Sequence, residues 1–165
     1  MADPGVQAPM HKNSKATIPR VQNFISSSRF SQVNLVDRLY PFNQPAELLH
    51  WALPGGEGAW QQYTFEDIMD QTFTPTTVGT SFGPTWSTHW FRVLLTIPTE
   101  WTGKEVRFRW DSGSEATLWS EDGVVLQGLS SSASAQVRTD YVLSSSYDGS
   151  TPALTLYVEM AGSKI

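Results

Sequence analysis

The hydrophobic pattern begins at Thr17, after a stretch that is poor in apolar residues. Val21, Phe24 and Ile25 follow at the spacing of one helix face, and Thr17 can act as the N-cap of that helix. The pattern therefore predicts a short helix near 18–27.

A second short helix is predicted at 65–71. Thr64 and Asp67 stand three residues apart, which is the spacing of a capping box, and apolar residues follow at helical positions. Residues 29–40 alternate loosely between apolar and polar side chains. We interpret that segment as a strand or an irregular extended stretch.

The rest of the chain has the pattern of short strands. Alternation is clearest at 105–110, where Val106, Phe108 and Trp110 share one face. The dipeptide Asp122-Gly123 between two apolar runs predicts a hairpin turn. Strands are predicted at 47–53, 73–78, 88–97, 105–110, 116–120, 124–126, 137–143 and 154–160.

Short strands joined by turns, with one or two short N-terminal helices, predict a mainly β fold built as an antiparallel β-sandwich. The length of 165 residues fits one domain with a tail. We interpret 1–16 as a flexible lead-in and 17–161 as the sandwich domain.

Charge and composition exclude several classes of function. The net charge is −5, which argues against a nucleic-acid surface and against binding to anionic membranes. The chain has no cysteine, which excludes disulfides, thiolate metal sites and a cysteine nucleophile. The first residues contain no apolar core of a signal peptide, so we expect a cytoplasmic protein.

No residue pattern predicts a catalytic or metal site. The histidines lack the short, fixed spacing of zinc ligands, and no Gly-x-Ser-x-Gly motif is present. Glu121 and Asp122 are the densest carboxylate pair among the strands, but a hairpin turn accounts for them. Residues 55–58 are rich in glycine, yet no Lys-Ser/Thr follows, so they do not form a phosphate loop.

Aromatic residues are the better candidates for contacts. Trp90, Trp110 and Trp119 lie in predicted strands and are interpreted as structural. Trp86 and Trp101 lie at loop edges and are candidates for carbohydrate or interdomain contact. Phe82 belongs to the same uncharged segment as Trp86, and these two side chains either dock on another domain or enter the core of this one.

Several strings of residues carry a family resemblance. They are 24–30 (FISSSRF), 81–91 (SFGPTWSTHWF) and 110–116 (WDSGSEA), followed by Leu118-Trp119. Together they resemble the N-terminal region of the fungal cytosolic and vacuolar α-mannosidases of glycoside hydrolase family 38. The resemblance covers most of the chain, from about Lys12 to Glu159.

The resemblance implies a jelly-roll or galactose-binding-like sandwich that precedes a zinc-binding catalytic barrel in a multidomain glycosidase. The family's zinc ligands, two His and two Asp, lie in that barrel, so neither catalytic nor metal-binding residues are expected in this chain. Residues 162–165 (GSKI) depart from the family pattern, which usually continues with Cys-Asn-Gly, and we interpret them as a divergent end.

The resemblance therefore predicts an accessory domain of an enzyme that removes terminal α-linked mannose from oligosaccharides. Its expected partners are the rest of the α-mannosidase chain and further copies in a homo-oligomer. A mannose oligosaccharide is a further candidate, and delivery to the vacuole is consistent with the family. Two alternatives stay open: a stand-alone carbohydrate-binding module that uses surface tryptophans, and an oligomerisation domain.

Overall fold

The computed structural model describes residues 13–25, 35, 38, 40–55, 63–131 and 137–163. The chain divides into two compact units, 1–43 and 44–165. No helix among the described residues is long and apolar enough to cross a membrane.

The first unit contains helix α1, Ser14–Ile25. The predicted start was wrong: the helix begins three residues before Thr17, whose Oγ1 donates to the Asn13 carbonyl instead of capping the helix. Pro19 thus lies inside the helix and not in its first turn. Local spacing located the apolar face correctly but could not fix the helix start.

The extended segment predicted at 29–40 is wrong at two of the three positions that the structure describes. Leu35 and Arg38 are helical, and most of the remaining positions lie outside the described residues. The four-residue spacing of Leu35 and Leu39 is a helical period, and it competes with the loose alternation on which the prediction rested.

The second unit is mainly β. Its short helix α2 is Phe65–Met69, and a 3₁₀ turn covers Thr99–Trp101. The strands are β1 Glu47–Ala52, β2 Thr74–Thr76, β3 Thr88–Thr96, β4 Val106–Arg109, β5 Ala116–Ser120, β6 Val125–Leu129, β7 Asp140–Ser144 and β8 Ala153–Ala161.

All strand pairs that the structure describes are antiparallel. Six strands form one sheet in the order β2-β1-β3-β8-β5-β6, and β4 pairs with β7 in a second sheet. The Asp122-Gly123 hairpin connects β5 to β6, as the sequence predicted. The predicted antiparallel β-sandwich is therefore confirmed.

The main core lies between the two sheets. Phe91, Val93, Leu118 and Val158 face inward from the large sheet and are almost fully buried. Phe108 of β4 packs on them from the small sheet. Side chains alternate across a strand, so the residues between these positions point to the opposite face of the large sheet.

That opposite face is covered by α2 and by aromatic side chains. The Phe65 ring stacks on Trp119 at 5.6 Å between ring centroids and meets Tyr157 edge-on at 5.4 Å. Ile68 of α2 is 1% exposed and packs beside Trp90. Trp90 and Trp119 are thus structural, as the sequence predicted.

Candidate functional site

Residues 82–87 form a loop that is hydrogen-bonded to the end of β8. The Trp86 amide donates to the Gly162 carbonyl at 3.1 Å, and the Gly162 amide donates to the Ser87 carbonyl at 2.7 Å. The Ser163 amide donates to the Phe82 carbonyl at 3.2 Å. These three bonds join the loop to the point where the backbone leaves the last strand, and we call residues 82–87 the Trp86 loop.

The two aromatic candidates of this loop have different environments. The half-buried Phe82 ring lies 4.5 Å from the His50 ring and 5.0 Å from the Phe91 ring, between centroids. Trp86 is 68% exposed and has a φ of 67°. Phe82 therefore belongs to this domain's own core, whereas Trp86 is presented at the surface.

A chain of polar side chains lies beneath the loop. His50 Nε2 is 2.9 Å from His89 Nδ1, and His89 Nε2 is 2.7 Å from Ser87 Oγ. Ser87 Oγ in turn donates to the Pro84 carbonyl. His89 and Ser87 are buried, and His50 is half-buried. The four residues connect β1, β3 and the Trp86 loop.

Burial determines the electrostatics of this histidine pair. Desolvation lowers the pKa of His50 to about 4, and the neighbouring His89 contributes to the shift. Desolvation also lowers the pKa of His89. Both rings are therefore neutral near pH 7.

Ser87, His89 and His50 have the order of a nucleophile, a base and an orienting group, but two observations exclude that chemistry here. Ser87 Oγ directs its proton to the Pro84 carbonyl and not to a histidine nitrogen. Gly162 lies so close that a Cβ on it would overlap Ser87 Oγ. Since a substrate carbonyl has no room to approach, the arrangement is a structural hydrogen-bond chain.

Metal binding has no support in the described ranges either. These residues contain no group of three or more His, Cys, Asp or Glu side chains that could hold a metal ion. The paired nitrogens of His50 and His89 already bond to each other. The zinc that the family resemblance implies has no fitting ligand set in the described part of this chain.

Trp101, the third candidate from the sequence, lies at the other end of the sandwich. Its half-buried ring packs on a small cluster of Ile97, Val106 and Tyr147. The nine-residue strand β3 separates it from Trp86, and a strand of that length spans about 30 Å. The structure does not bring Trp86 and Trp101 together.

Two carboxylates differ in environment. Asp122 lies in the β5–β6 turn and is exposed, as a turn residue should be. Glu159 lies opposite Trp90 in β8, and burial raises its pKa, although the nearby Trp119 opposes part of the rise. Glu159 is thus a largely buried carboxyl group on the sheet face that also carries Trp90 and Trp119.

Sequence reasoning missed the histidine pair. The repeated dipeptide His-Trp, at His50-Trp51 and His89-Trp90, was the available signal, since both histidines lie on one sheet face in any register that places the two tryptophans opposite each other. The register places His50 opposite Phe91, so His50 and His89 are diagonal neighbours.

The comparisons with known proteins agree with this architecture. Residues 44–165 match the family model described as the jelly roll domain of alpha-mannosidase. The chain belongs to this family. The α-mannosidase jelly roll domain, as we now call the second unit, therefore starts at the boundary between the two compact units.

Longer α-mannosidases are its relatives. Alpha-mannosidase 2C1 of Mus musculus is 40% identical over 155 residues, which is 93% of this chain and 14% of the relative's length. The human protein of the same name is 39% identical over the same shares. Alpha-mannosidase G of Dictyostelium discoideum is 31% identical over 134 residues, covering 81% of this chain and 12% of its own length. The chain thus spans about one seventh of these relatives.

Proposed function

We propose that this chain is the accessory domain of an α-mannosidase and that it docks, through the Trp86 loop, onto the polypeptide that carries catalysis. The parent enzyme would hydrolyse terminal α-linked mannose of oligosaccharides, in the cytoplasm or after delivery to the vacuole. Its zinc and catalytic residues would lie outside the described part of this chain, and we expect no mannosidase turnover from these 165 residues alone.

The single observation that carries the docking proposal is the exposure of Trp86. A non-glycine residue at a φ of 67° costs about 1 kcal/mol, and a side chain that is 68% exposed regains little of this by burial. A tryptophan at such a position lowers the stability of the isolated domain. Contact with a partner would explain why a tryptophan occupies this exposed position at a positive φ.

The position of Trp86 supports the choice of partner. Its amide is bonded to the Gly162 carbonyl, one residue past the end of β8. Any polypeptide that follows the sandwich therefore leaves it beside Trp86. The relatives are about seven times as long as the matched segment. The partner that we propose is therefore the rest of the α-mannosidase chain.

A binding experiment in trans tests this proposal. The 165-residue chain is co-expressed with human alpha-mannosidase 2C1 from which the matched 155-residue segment has been removed. We expect the two to co-purify, and Trp86→Ser to weaken the complex by at least tenfold. Val125→Ser, at a 54% exposed position of β6, is the matched control and should bind as the wild type does.

Equal binding of the wild type and Trp86→Ser would contradict the docking role, as would failure of the wild type to bind. Circular dichroism of each variant shows whether a protein that fails to bind is still folded.

Carbohydrate binding is the second candidate, and the same exposed indole favours it, because aromatic faces stack on the apolar faces of sugars. Calorimetric titration with mannose oligosaccharides distinguishes the two. Saturable binding by the wild type that disappears in Trp86→Ser supports a sugar site. If no oligosaccharide gives a measurable heat of binding, docking remains the function that we propose for Trp86.

A further inference from the structure

The face of the large sheet that is turned away from the main core holds a largely buried carboxyl group. Glu159 of β8 lies opposite Trp90 of β3 and Thr117 of β5 on that face. We propose that Glu159 is the site at which an arginine side chain of the polypeptide that carries catalysis binds this domain. This inference rests on the proposed docking function, because it names the chemistry of one contact that the partner makes.

Small side chains leave space on one side of Glu159. Thr117 and then Gly128 continue its row to the sheet edge at β6, and a Cβ built on Gly128 would meet no atom within 4 Å. Ala161 follows Glu159 on the same face of β8. Trp90 and helix α2 close the opposite side. We call Glu159, Thr117, Gly128 and Ala161 the Glu159 groove, which is open towards β6.

The carboxyl group of Glu159 is not paired with a cation within the described part of the chain. Arg92 lies one strand away on the same face, but its guanidinium is placed over the rings of Phe73 and Tyr157. The indole N–H of Trp119 opposes part of the rise in the pKa of Glu159, yet it forms no hydrogen bond. Folding therefore desolvates this carboxylate without supplying the positive charge that would compensate for it.

An arginine side chain fits the Glu159 groove in length and in chemistry. Two strand spacings separate β8 from β6, which is about 10 Å. The aliphatic stem of an arginine that enters over β6 can lie on Thr117 and Gly128, while its guanidinium donates two parallel N–H···O bonds to Glu159. A lysine has no such fork, and its ammonium group is more strongly hydrated, so it loses more on entering a partly buried site.

The charge of the jelly roll domain favours a basic partner. Residues 44–165 carry 14 of the 16 Asp and Glu residues of the chain but only 6 of its 11 Lys and Arg residues. An acidic domain attracts a basic surface and repels an acidic one during association. A partner that presents an arginine to Glu159 has the complementary charge.

The Glu159 groove also lies close to the proposed docking loop. Gly162, whose carbonyl accepts from the Trp86 amide, comes three residues after Glu159, which is about 10 Å along a strand. One surface of the partner can therefore cover both the groove and the Trp86 loop.

Binding in trans to human alpha-mannosidase 2C1 without its matched segment tests the contact in the complex. Glu159→Gln keeps the shape of the side chain and removes its charge, and we expect it to weaken the complex at least tenfold. Glu47→Gln is the matched control, because it makes the same change at an exposed position of β1 and should bind as the wild type does.

Urea denaturation of the free chain separates a binding role from a structural one. Glu159→Gln should unfold at no lower urea concentration than the wild type, because it removes a buried charge that has no counter-ion among the described residues. A carboxyl group that supports the fold would give the opposite result.

A small probe tests the Glu159 groove without the partner. The isotope-labelled 165-residue chain is titrated with N-acetyl-arginine amide and followed by NMR. N-acetyl-citrulline amide, which has nearly the same shape and no charge, is the control probe. We expect saturable shifts of the Glu159 carboxyl carbon and the Gly128 amide at millimolar arginine probe. The citrulline probe should cause no such shifts, and neither should the arginine probe in Glu159→Gln.

The inference is overturned if the arginine probe causes no saturable shift, if both probes shift the groove equally, or if Glu159→Gln lowers the stability of the free chain. Equal binding of the wild type and Glu159→Gln to the partner also overturns it, and a weakened Trp86→Ser complex would then leave docking intact. Failure of the wild type to bind would overturn the docking proposal and with it the source of the arginine, while saturable shifts with the arginine probe would keep the groove as an arginine site.

Discussion

The ring of Phe65 at the start of α2 lies directly against the backbone of Gly123 in the β5–β6 turn, so that a Cβ built on Gly123 would lie 2.7 Å from Phe65 Cδ1. The turn residue and the helix thus share one packing contact. Phe65 also stacks on Trp119 of β5, so the contact connects α2 to the large sheet.

Gly123→Ala should therefore destabilise the domain for two reasons. Gly123 has a φ of 78°, where an alanine costs about 1 kcal/mol, and the added methyl group displaces Phe65. We expect a total loss of about 2–3 kcal/mol in the free energy of unfolding, measured by urea denaturation.

Gly113→Ala is the matched control for that change. Gly113 has a φ of 73°, but a Cβ there would meet no atom within 4 Å. It should lose only the conformational part, about 1 kcal/mol. Equal losses for the two variants would show that Phe65 gives way freely and that the contact does not hold α2.

Phe82 and Trp86 should respond oppositely to truncation. Phe82→Ser removes a half-buried ring from His50 and Phe91 and should cost about 2 kcal/mol of stability. Trp86→Gly removes an exposed side chain and relieves a positive φ, so the melting temperature should not fall. Thermal unfolding of both variants checks the pair. A large loss of stability in Trp86→Gly would mean that the indole supports this domain itself.

Thr64→Ala should weaken α2. Thr64 Oγ1 accepts from the Asp67 amide at 3.2 Å, while the Thr64 amide and hydroxyl both donate to the Asp67 carboxylate at 2.8 Å. We expect a loss of about 1 kcal/mol by urea denaturation. The backbone and side-chain bonds from Thr64 lower the pKa of Asp67, and the variant should raise that pKa part of the way back in an NMR titration.

Thr80→Ala is the control for this cap. Its hydroxyl is exposed and has a 3.4 Å contact with Thr77 Oγ1. A cap that contributes nothing would make the two variants equally stable.

Local spacing was sufficient for two motifs whose partner residues lie close in sequence. Thr64 and Asp67 formed the predicted capping box, and Asp122-Gly123 formed the predicted hairpin turn. The alternating residues of β4 are buried and exposed in turn, as a half-buried strand requires. The sandwich class followed from these short-range signals.

The pairing register of strands that lie far apart in the sequence could not be predicted from local residue spacing. The meeting of His50 and His89 depends on β1 pairing with β3 so that His50 lies opposite Phe91. A shift of one residue would turn one histidine to the other sheet face. The positive φ of Trp86 is likewise fixed by its bond to Gly162, 76 residues further along the chain, and nothing in the sequence around Trp86 indicates it.

The histidine pair predicts how stability depends on pH. The pKa of His50 is about 4 in the folded protein and about 6.5 in the unfolded chain, because folding buries the ring beside His89. Between these two values the unfolded state binds the proton and the folded state does not. The contribution of His50 is thus fully present above pH 6.5 and is lost as the pH falls towards 4.

Urea denaturation of the wild type and His50→Gln from pH 7.5 to pH 4 measures this contribution. Carboxylates also titrate near the lower end of this range, and they cancel when the two proteins are compared at each pH. We expect the wild type to lose stability more steeply than the variant below pH 6.5, by a slope of about one proton between the folded and unfolded states. His89 titrates in both proteins, so it contributes to the part of the pH dependence of the unfolding free energy that the two proteins have in common. Parallel curves for the two proteins would mean that His50 titrates normally in the folded state, and burial beside His89 would then not lower its pKa.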